Sequence, residues 1–139
     1  MSSRWLRGLA VVGLLITGCA VDPRREMLDQ VNLQTQREVA FVGGIKWSLG
    51  DRGDCTTFAL HNLEALRARG APATAWIVWD NRGEGHAVVV SGDVVLDSHY
   101  HHIKTKAWLE KIGYRFRFPL SDSLVAQLVR TTNPGTRRG

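Results

Sequence analysis

Two stretches of the chain place apolar residues three or four positions apart, which is the spacing of an amphipathic helix. The first covers residues 24–39, and the second covers residues 55–69. Asp54 immediately precedes the second stretch, and Gly70 immediately follows it. Aspartate is a favourable N-cap and glycine a favourable helix end, so the sequence indicates both boundaries of this helix. We therefore predict two helices, each with one buried face.

Apolar runs of strand length follow the second predicted helix. They cover residues 73–79, 86–90 and 94–97. Polar residues and glycines separate them at 80–85 and 91–93, which is typical of turns between antiparallel strands. The remaining predicted elements are a short helix at 105–111, a strand at 114–118 and a last helix at 121–130. Helices followed by an antiparallel sheet predict an α+β fold.

The first twenty residues have the pattern of an export signal. Two arginines precede an apolar stretch at residues 9–16, and small residues follow it. Residues 16–19 (ITGC) resemble a bacterial lipobox, which implies cleavage after residue 18 and attachment of lipid to Cys19. An ordinary secretory signal with an incidental cysteine is the alternative. Because Ala20 rather than aspartate follows the cysteine, the resemblance implies an anchor in the outer membrane, facing the periplasm.

The composition is that of one small globular domain. The chain has 139 residues, of which 44% are hydrophobic, and this is enough to fill a single core. Its net charge of +5 is scattered rather than clustered, so we expect no nucleic-acid partner. Its two cysteines provide neither a disulfide framework nor a Cys-x-x-Cys zinc site. Once Cys19 carries lipid, Cys55 is the one thiol left, either buried and inert or kept for chemistry.

The predicted domain organisation has four parts. Residues 1–18 are the signal peptide, and residues 19–30 are a lipidated N-terminus and tether. Residues 31–131 form the folded domain, and residues 132–139 form a flexible tail. The expected contact of the chain with a membrane is thus made through the lipid on Cys19.

Cys55 is the first residue of the second predicted helix. The helix dipole and the unpaired N–H groups of the first turn stabilise negative charge, so a thiolate is favoured at this position. His86 opens one predicted strand, and Asp97 closes the next. Together the three residue types can supply a nucleophile, a general base and a carboxylate that orients the base.

The turn between the two strands decides whether His86 and Asp97 share a face of the sheet. A two-residue turn at 91–92 places them directly opposite each other, and one at 92–93 makes them diagonal neighbours on the same face. A three-residue turn places them on opposite faces. Each candidate also has an ordinary structural alternative: a buried cysteine, a core histidine, or an aspartate that caps a turn.

Three segments of the sequence resemble, in the same order, bacterial transglutaminase-like cysteine peptidases. They are 53–60 (GDCTTFAL), 83–90 (GEGHAVVV) and 95–98 (VLDS), and the similarity extends over residues 31–116. The family includes periplasmic proteases that release surface adhesins. The resemblance implies a papain-like, transglutaminase-like fold, in which a helix that carries the cysteine packs on an antiparallel sheet.

The same resemblance implies roles for the three candidate residues. Cys55 is the nucleophile, His86 the general base and acid, and Asp97 the residue that orients the imidazole. The backbone N–H of Cys55 is an expected donor to the oxyanion, with a side-chain donor from the loop at 43–53. The implied reaction is acyl transfer through a thioester, with a protein or peptide as the substrate.

The sequence departs from the adhesin-releasing members at one position. Those proteins usually follow the cysteine with an acidic residue that helps the preceding aspartate to bind calcium. Here Asp54 is present, but Thr56 follows the cysteine. Calcium prefers about 6–8 oxygen ligands, several of them anionic, so one carboxylate is a poor site. We expect no cofactor, with Asp54 as a weak calcium candidate.

The leading prediction is a lipid-anchored cysteine peptidase of the cell envelope. One alternative is a peptidoglycan endopeptidase of the NlpC type, although Ser-Gly normally follows Asp-Cys in that family and the third polar residue is commonly histidine. Another is a transglutaminase or a non-catalytic binding lipoprotein on the same scaffold. His99, His101 and His102 follow Asp97 closely, and we expect them to contact substrate rather than a metal.

Overall fold

The computed structural model describes residues 21–136. The predicted signal peptide and Cys19 lie outside the described residues. The helices are α1 (Pro23–Glu38), α2 (Cys55–Ala68), α3 (Lys106–Lys111) and α4 (Asp122–Thr132), with a 3₁₀ turn at Pro134–Thr136. The strands are β1 (Ala40–Phe41), β2 (Arg52–Gly53), β3 (Thr74–Trp79), β4 (Gly85–Ser91), β5 (Val94–Leu96), β6 (Lys104–Thr105) and β7 (Arg115–Pro119). Each predicted helix and strand is present, with ends within two residues of the prediction.

Helix α1 begins at Pro23, where proline is favourable and the Asp22 side chain caps the first turn. It starts inside the segment 19–30, for which the sequence predicts a tether. The buried residues of α1 fall on one stripe: Leu28, Val31, Asn32 and Thr35. The helix therefore packs against the domain from its second turn onward.

Helix α2 begins at Cys55 because Asp54 caps it as predicted. The Asp54 carboxylate accepts a hydrogen bond of 2.9 Å from the Thr56 N–H. The helix ends before Gly70, which has a left-handed φ of 68° that suits glycine. One face of α2 is buried and consists of Thr57, Phe58, Ala59, Leu60, Asn62, Leu63 and Leu66. This burial fixes the position of the Cys55 end of the helix relative to the sheet.

The main sheet has five antiparallel strands in the order β6-β5-β4-β3-β7. Helices α1, α2 and α4 cover one face of the sheet, where Leu63, Val89 and Val125 belong to the same apolar core. Helix α3 covers the other face, where Leu109 packs with Val88. The α+β fold is therefore a helical layer on an antiparallel sheet, with the Cys-bearing helix in the layer.

The short strands β1, β2 and β6 are absent from the sequence prediction. Each has two residues, which is too short for an alternating pattern to be recognised. Strands β1 and β2 pair in parallel and hold the two ends of the loop that precedes α2. No helix within residues 21–136 is both long enough and apolar enough to span a bilayer.

Candidate active site

The β4–β5 hairpin places His86 and Asp97 on one face of the sheet. Val90 pairs with Val95, so the turn consists of Gly92 and Asp93, which was one of the two compatible registers. Gly92 has a φ of 63°, which is the left-handed conformation that such tight hairpin turns require. In this register His86 and Asp97 are diagonal neighbours, and their side chains reach each other across the ladder.

His86 and Asp97 form a buried hydrogen-bonded pair. The Nε2 atom of His86 lies 2.6 Å from Oδ1 of Asp97. The two side chains are only 2% and 1% exposed. A charge-assisted hydrogen bond is strong in such surroundings because no water competes for either partner.

Two further donors hold the Asp97 carboxylate. The backbone N–H of His99 donates to Oδ1 over 2.9 Å, and the Tyr114 hydroxyl donates to Oδ2 over 2.7 Å. Burial alone would raise the pKa of Asp97, but the hydrogen bond and charge of His86, assisted by these two donors, lower it below its usual value. Asp97 is therefore ionised and fixed in orientation at neutral pH.

Cys55 faces the same histidine from the start of α2. It is half-buried and lines an open cleft of about 320 Å³. The other residues that line this cleft are Lys46, Asp54, Thr56, Ile77, Gly85, His86 and Ala87. Since Nε2 of His86 is engaged by Asp97, Nδ1 is the ring nitrogen that remains for the sulfur. Cys55 and His86 therefore line one cleft, and Asp97 joins them through its hydrogen bond to His86.

The pKa of His86 reflects both of its partners. Burial by itself lowers this pKa, but the hydrogen bonds to Asp97 and Cys55 and the charges of both residues raise it from 6.5 to about 9. His86 therefore carries a proton at neutral pH, and Asp97 balances its charge. An imidazolium beside a sulfur atom is the arrangement that favours a thiolate nucleophile.

The backbone N–H of Cys55 is available to a ligand. Asp54 accepts from the N–H groups of Thr56, Thr57 and Phe58, but no hydrogen bond in the described part of the chain uses the Cys55 N–H. This donor therefore suits an oxyanion formed at the sulfur. Within the loop at 43–53, Lys46 is the residue that lines the cleft and could add a side-chain donor.

The loop before α2 is tied to the helix by threonine hydroxyls. The N–H of Trp47 donates to the Thr56 hydroxyl over 2.8 Å, and the N–H of Ser48 donates to the Thr57 hydroxyl over 3.2 Å. Gly53 allows this close approach, because a Cβ atom at that position would collide with the Thr57 side chain. These contacts fix the wall of the cleft on the side of Lys46.

Two amide side chains of α1 hold the segment that carries Asp97. The Nδ2 atom of Asn32 donates to the carbonyls of Tyr100 and His101 over 2.9 and 3.0 Å. The Nε2 atom of Gln36 donates to the carbonyl of Ser98 over 3.2 Å. Asn32 is completely buried, so its hydrogen bonds are costly to break. No sequence pattern indicates these contacts, because they join residues more than sixty positions apart.

The three histidines after Asp97 have different surroundings. The His99 ring stacks on the His86 ring, with centroids 3.9 Å apart. His102 is exposed and bonds to Asp29 over 2.9 Å, and His101 is exposed. Of the three, His99 alone is thus part of the candidate site.

The described residues contain one cluster of potential metal ligands. The one group of three or more His, Cys, Asp or Glu side chains close enough to share an ion is His86, Asp97 and His99, and two of these already bond to each other. Asp54, the calcium candidate, uses Oδ1 to accept from both the N–H and the hydroxyl of Thr56, the latter over 2.6 Å. Among the described residues, Asp54 is not a member of such a group of potential ligands, whereas calcium prefers several anionic oxygens.

A second cleft, of about 390 Å³, lies where β3 ends and contains none of the three candidate residues. Its buried acid is Asp80, whose carboxylate accepts from the N–H groups of Arg82 and Glu84 over 2.9 and 3.0 Å. Asp80 therefore organises its own turn. The Cys55 cleft is the one that combines a nucleophile with a base.

Comparisons with known proteins agree on fold and family. The sequence model of the family described as bacterial transglutaminase-like cysteine proteinase matches residues 22–126. A solved structure of Legionella pneumophila LapG superposes with a TM-score of 0.61 at 17% identity, over 73% of this chain and 67% of LapG. Calcium-bound LapG gives 0.59 at 18% identity, over 73% and 67% of the two chains. No protein of curated function matches the chain.

These similarities confirm the predicted fold. The chain spans about two thirds of the length of LapG. The structure of EGTA-treated LapG superposes with a TM-score of 0.58 at 16% identity, over 73% of this chain and 65% of LapG. At this level of identity the structural similarity shows the fold alone. The match of the family's sequence model to residues 22–126 shows to which family the chain belongs.

Proposed function

Because the chain belongs to the family of bacterial transglutaminase-like cysteine proteinases, and is therefore a cysteine peptidase, we propose that it cleaves protein substrates with Cys55, His86 and Asp97. The observation that carries this proposal is the buried His86–Asp97 pair, which faces a half-exposed Cys55 in an open cleft. A buried imidazole with a raised pKa beside a thiol is an arrangement suited to acyl transfer.

In the proposed first step, the Cys55 sulfur attacks the carbonyl carbon of a peptide bond as a thiolate. The developing oxyanion accepts the N–H of Cys55. Protonated His86 then gives its Nδ1 proton to the leaving amine, the carbon–nitrogen bond breaks, and a thioester remains on the sulfur. Asp97 keeps the imidazole in one orientation throughout.

In the second step, neutral His86 removes a proton from a water molecule. The resulting hydroxide attacks the thioester carbonyl, the carbon–sulfur bond breaks, and the acid product leaves. Cys55 returns as a thiolate and His86 as an imidazolium, so the enzyme is restored without a cofactor. An amine in place of water would give transamidation by the same atoms.

We further propose that the site works without calcium. The support is local: the Thr56 hydroxyl lies between Asp54 Oδ1 and the Trp47 N–H, at 2.6 and 2.8 Å. It thereby ties the carboxylate to the loop by hydrogen bonds within the protein. A bound cation is not needed to organise this end of α2.

The location of the protein is a separate proposal that rests on residues 1–20. The lipobox-like sequence ITGC supports cleavage after residue 18, lipid on Cys19 and an outer-membrane anchor facing the periplasm. The substrate would then be a protein of the same compartment. Fractionation of cells that express the full chain or its Cys19→Ser variant tests this: the wild type should partition with outer membranes and the variant with soluble periplasm. Equal partitioning of the two would contradict the anchor.

The peptidase activity is tested with the full chain in detergent and fluorescein-labelled casein as the probe. We expect the wild type to release labelled peptides and Cys55→Ala to release none. Purified peptidoglycan serves as a second probe, because cleavage of it instead of casein would indicate a cell-wall endopeptidase.

The reactivity of Cys55 gives a test that needs no substrate. Iodoacetamide should alkylate the wild type readily at pH 6, and His86→Ala should react at least tenfold more slowly, since the imidazolium is lost. His61→Ala is the matched control, because the His61 ring bonds to the Gly50 carbonyl away from the cleft. Equal rates in wild type and His86→Ala, with no cleavage of either probe, would indicate a binding scaffold.

A further inference from the structure

The His86 ring has a close aromatic neighbour that the proposed mechanism does not use. The ring of His99 lies nearly parallel to it, with centroids 3.9 Å apart and an angle of 27° between the planes. The side chain of His86 is buried, whereas His99 is exposed. His99 therefore covers the catalytic imidazole on the side that would otherwise meet solvent.

The hydrogen bond to Asp97 does not by itself fix the plane of the His86 ring. Rotation about the Cβ–Cγ bond tilts the ring plane and would swing Nδ1 away from the sulfur, and a single hydrogen bond at Nε2 tolerates part of this rotation. The face of His99 blocks this rotation on one side. The edge of the ring meets Tyr114, whose ring is nearly perpendicular at 6.4 Å between centroids and 82°.

We propose that His99 is a positioning residue, whose stacked ring holds the His86 imidazole in the plane that joins Asp97 to Cys55. One residue thus acts on two members of the proposed triad, because its backbone N–H also donates to Asp97 Oδ1 over 2.9 Å. The ring and the backbone can be separated by substitution, since any residue other than proline keeps the N–H. The inference rests on the proposed roles of Cys55, His86 and Asp97.

The charge of His99 suits this role. Burial lowers the pKa of His99, and the positive charges of His86 and Arg82 lower it further. The negative charges of Asp97 and Asp80 act in the opposite direction without reversing the shift. The Tyr114 hydroxyl lies 3.5 Å from Nδ1 of His99. His99 is therefore neutral at pH 7, and a neutral ring can stack on an imidazolium without repulsion between like charges.

The test compares His99→Phe, which keeps a flat aromatic ring, with His99→Leu, which keeps apolar bulk but no ring. Alkylation of Cys55 by iodoacetamide at pH 7 is the first readout. We expect His99→Phe to react within about threefold of the wild type and His99→Leu about tenfold more slowly, since small displacements of a catalytic group are costly. His102→Leu is the matched control and should match the wild type, because its ring bonds to Asp29 on the surface.

NMR spectroscopy can distinguish a His99 ring that positions His86 from a His99 side chain that only fills space beside it. The proton on His86 Nε2, bound to Asp97 and shielded by His99, should give a downfield NMR resonance in the wild type and in His99→Phe. In His99→Leu we expect this resonance to broaden through exchange with water. Circular dichroism confirms that each variant is folded, and the Phe variant remains informative should the Leu variant fail to fold, because loss of its resonance would contradict the stacking role.

Different experimental outcomes would contradict the role of His99 and the roles of Cys55, His86 and Asp97. Wild-type reactivity and an unchanged resonance in His99→Leu would overturn the role of His99 while leaving the triad intact. If His86→Ala reacts as fast as the wild type, the triad itself is wrong. Slow reaction of His99→Phe and His99→Leu alike would mean that the histidine nitrogens matter rather than the stacked ring, and would also overturn the proposal.

Discussion

Asp97 Oδ1 and His86 Nε2 lie 2.6 Å apart in a place that water does not reach. Asp97 accepts three hydrogen bonds there, and one of them comes from the residue proposed as general base and acid. A carboxylate in this position stabilises the imidazolium and fixes which ring nitrogen faces the sulfur. The pair therefore determines both the charge and the orientation of His86.

The negative charge of Asp97 should be needed for a fast reaction, even when a side chain of the same shape takes its place. We expect Asp97→Asn to lower the rate of casein cleavage by about 10²-fold or more, because a neutral amide does not stabilise the imidazolium. Asp93→Asn is a matched control on the same hairpin, since Asp93 is exposed and pairs only with Arg25 at 3.3 Å. A loss of less than threefold in Asp97→Asn would argue against an orienting role.

Tyr114 should act on the reaction through Asp97. Its hydroxyl donates to Oδ2 over 2.7 Å, and burial, followed by the nearby negative charge of Asp97, raises the pKa of Tyr114 so that the hydroxyl keeps its proton. Tyr114→Phe removes a buried hydrogen bond, for which we expect a loss of about 1–2 kcal/mol in the free energy of unfolding and a several-fold slower cleavage.

A double-mutant cycle distinguishes this route from a direct effect of Tyr114 on the substrate. If Tyr114 acts through the carboxylate, the variant with both Asp97→Ala and Tyr114→Phe should cleave casein no more slowly than Asp97→Ala alone. Independent, multiplicative losses in rate would show that the hydroxyl has another role.

The parts of the site that the sequence predicts are those encoded by short-range patterns. Asp54 and Gly70 delimit α2, so the position of Cys55 at the helix start follows from neighbouring residues. Strand alternation puts His86 and Asp97 on one face for either two-residue turn, but the sequence also left open a three-residue turn that separates them, and the structure has the turn at Gly92 and Asp93. Local pattern was therefore enough to propose these three residues together, but not to choose the register of the hairpin.

The parts that were missed depend on contacts between distant segments. Tyr114 reaches Asp97 from the start of another strand, and Asn32 reaches the carbonyls of residues 100 and 101 from α1. The stacking of the His99 ring on His86 was likewise not predicted. No periodicity specifies which side chains meet once the sheet and the helices have packed.

The stability of the protein should depend on pH through His86. Its pKa is raised from 6.5 to about 9 on folding, so the folded state binds the proton more tightly than the unfolded state does. This contribution is fully present below pH 6.5 and is lost as the pH rises through about 9, for a total on the order of 3 kcal/mol. The difference in unfolding free energy between wild type and His86→Gln, measured with urea, should therefore shrink between pH 6 and pH 9.5.

The matched control for this pH dependence is His61→Gln on α2. His61 lies outside the buried pair and bonds to the Gly50 carbonyl, so its substitution should leave the pH dependence of stability as in the wild type. A difference between wild type and His86→Gln that stays constant from pH 6 to pH 9.5 would mean that the imidazole does not gain its proton on folding.

Removal of calcium should leave this protein unchanged, because the Thr56 hydroxyl organises the start of α2. It donates to Asp54 Oδ1 over 2.6 Å and accepts from the Trp47 N–H over 2.8 Å. We expect EGTA and millimolar calcium to give the same melting temperature and the same rate of casein cleavage. Thr56→Val should lose about 1 kcal/mol of stability, since two partly buried hydrogen bonds lose their partner, while Thr56→Ser should lose much less. A melting temperature that rises with calcium in the wild type would show instead that Asp54 holds the ion with ligands outside this hydrogen-bonded group.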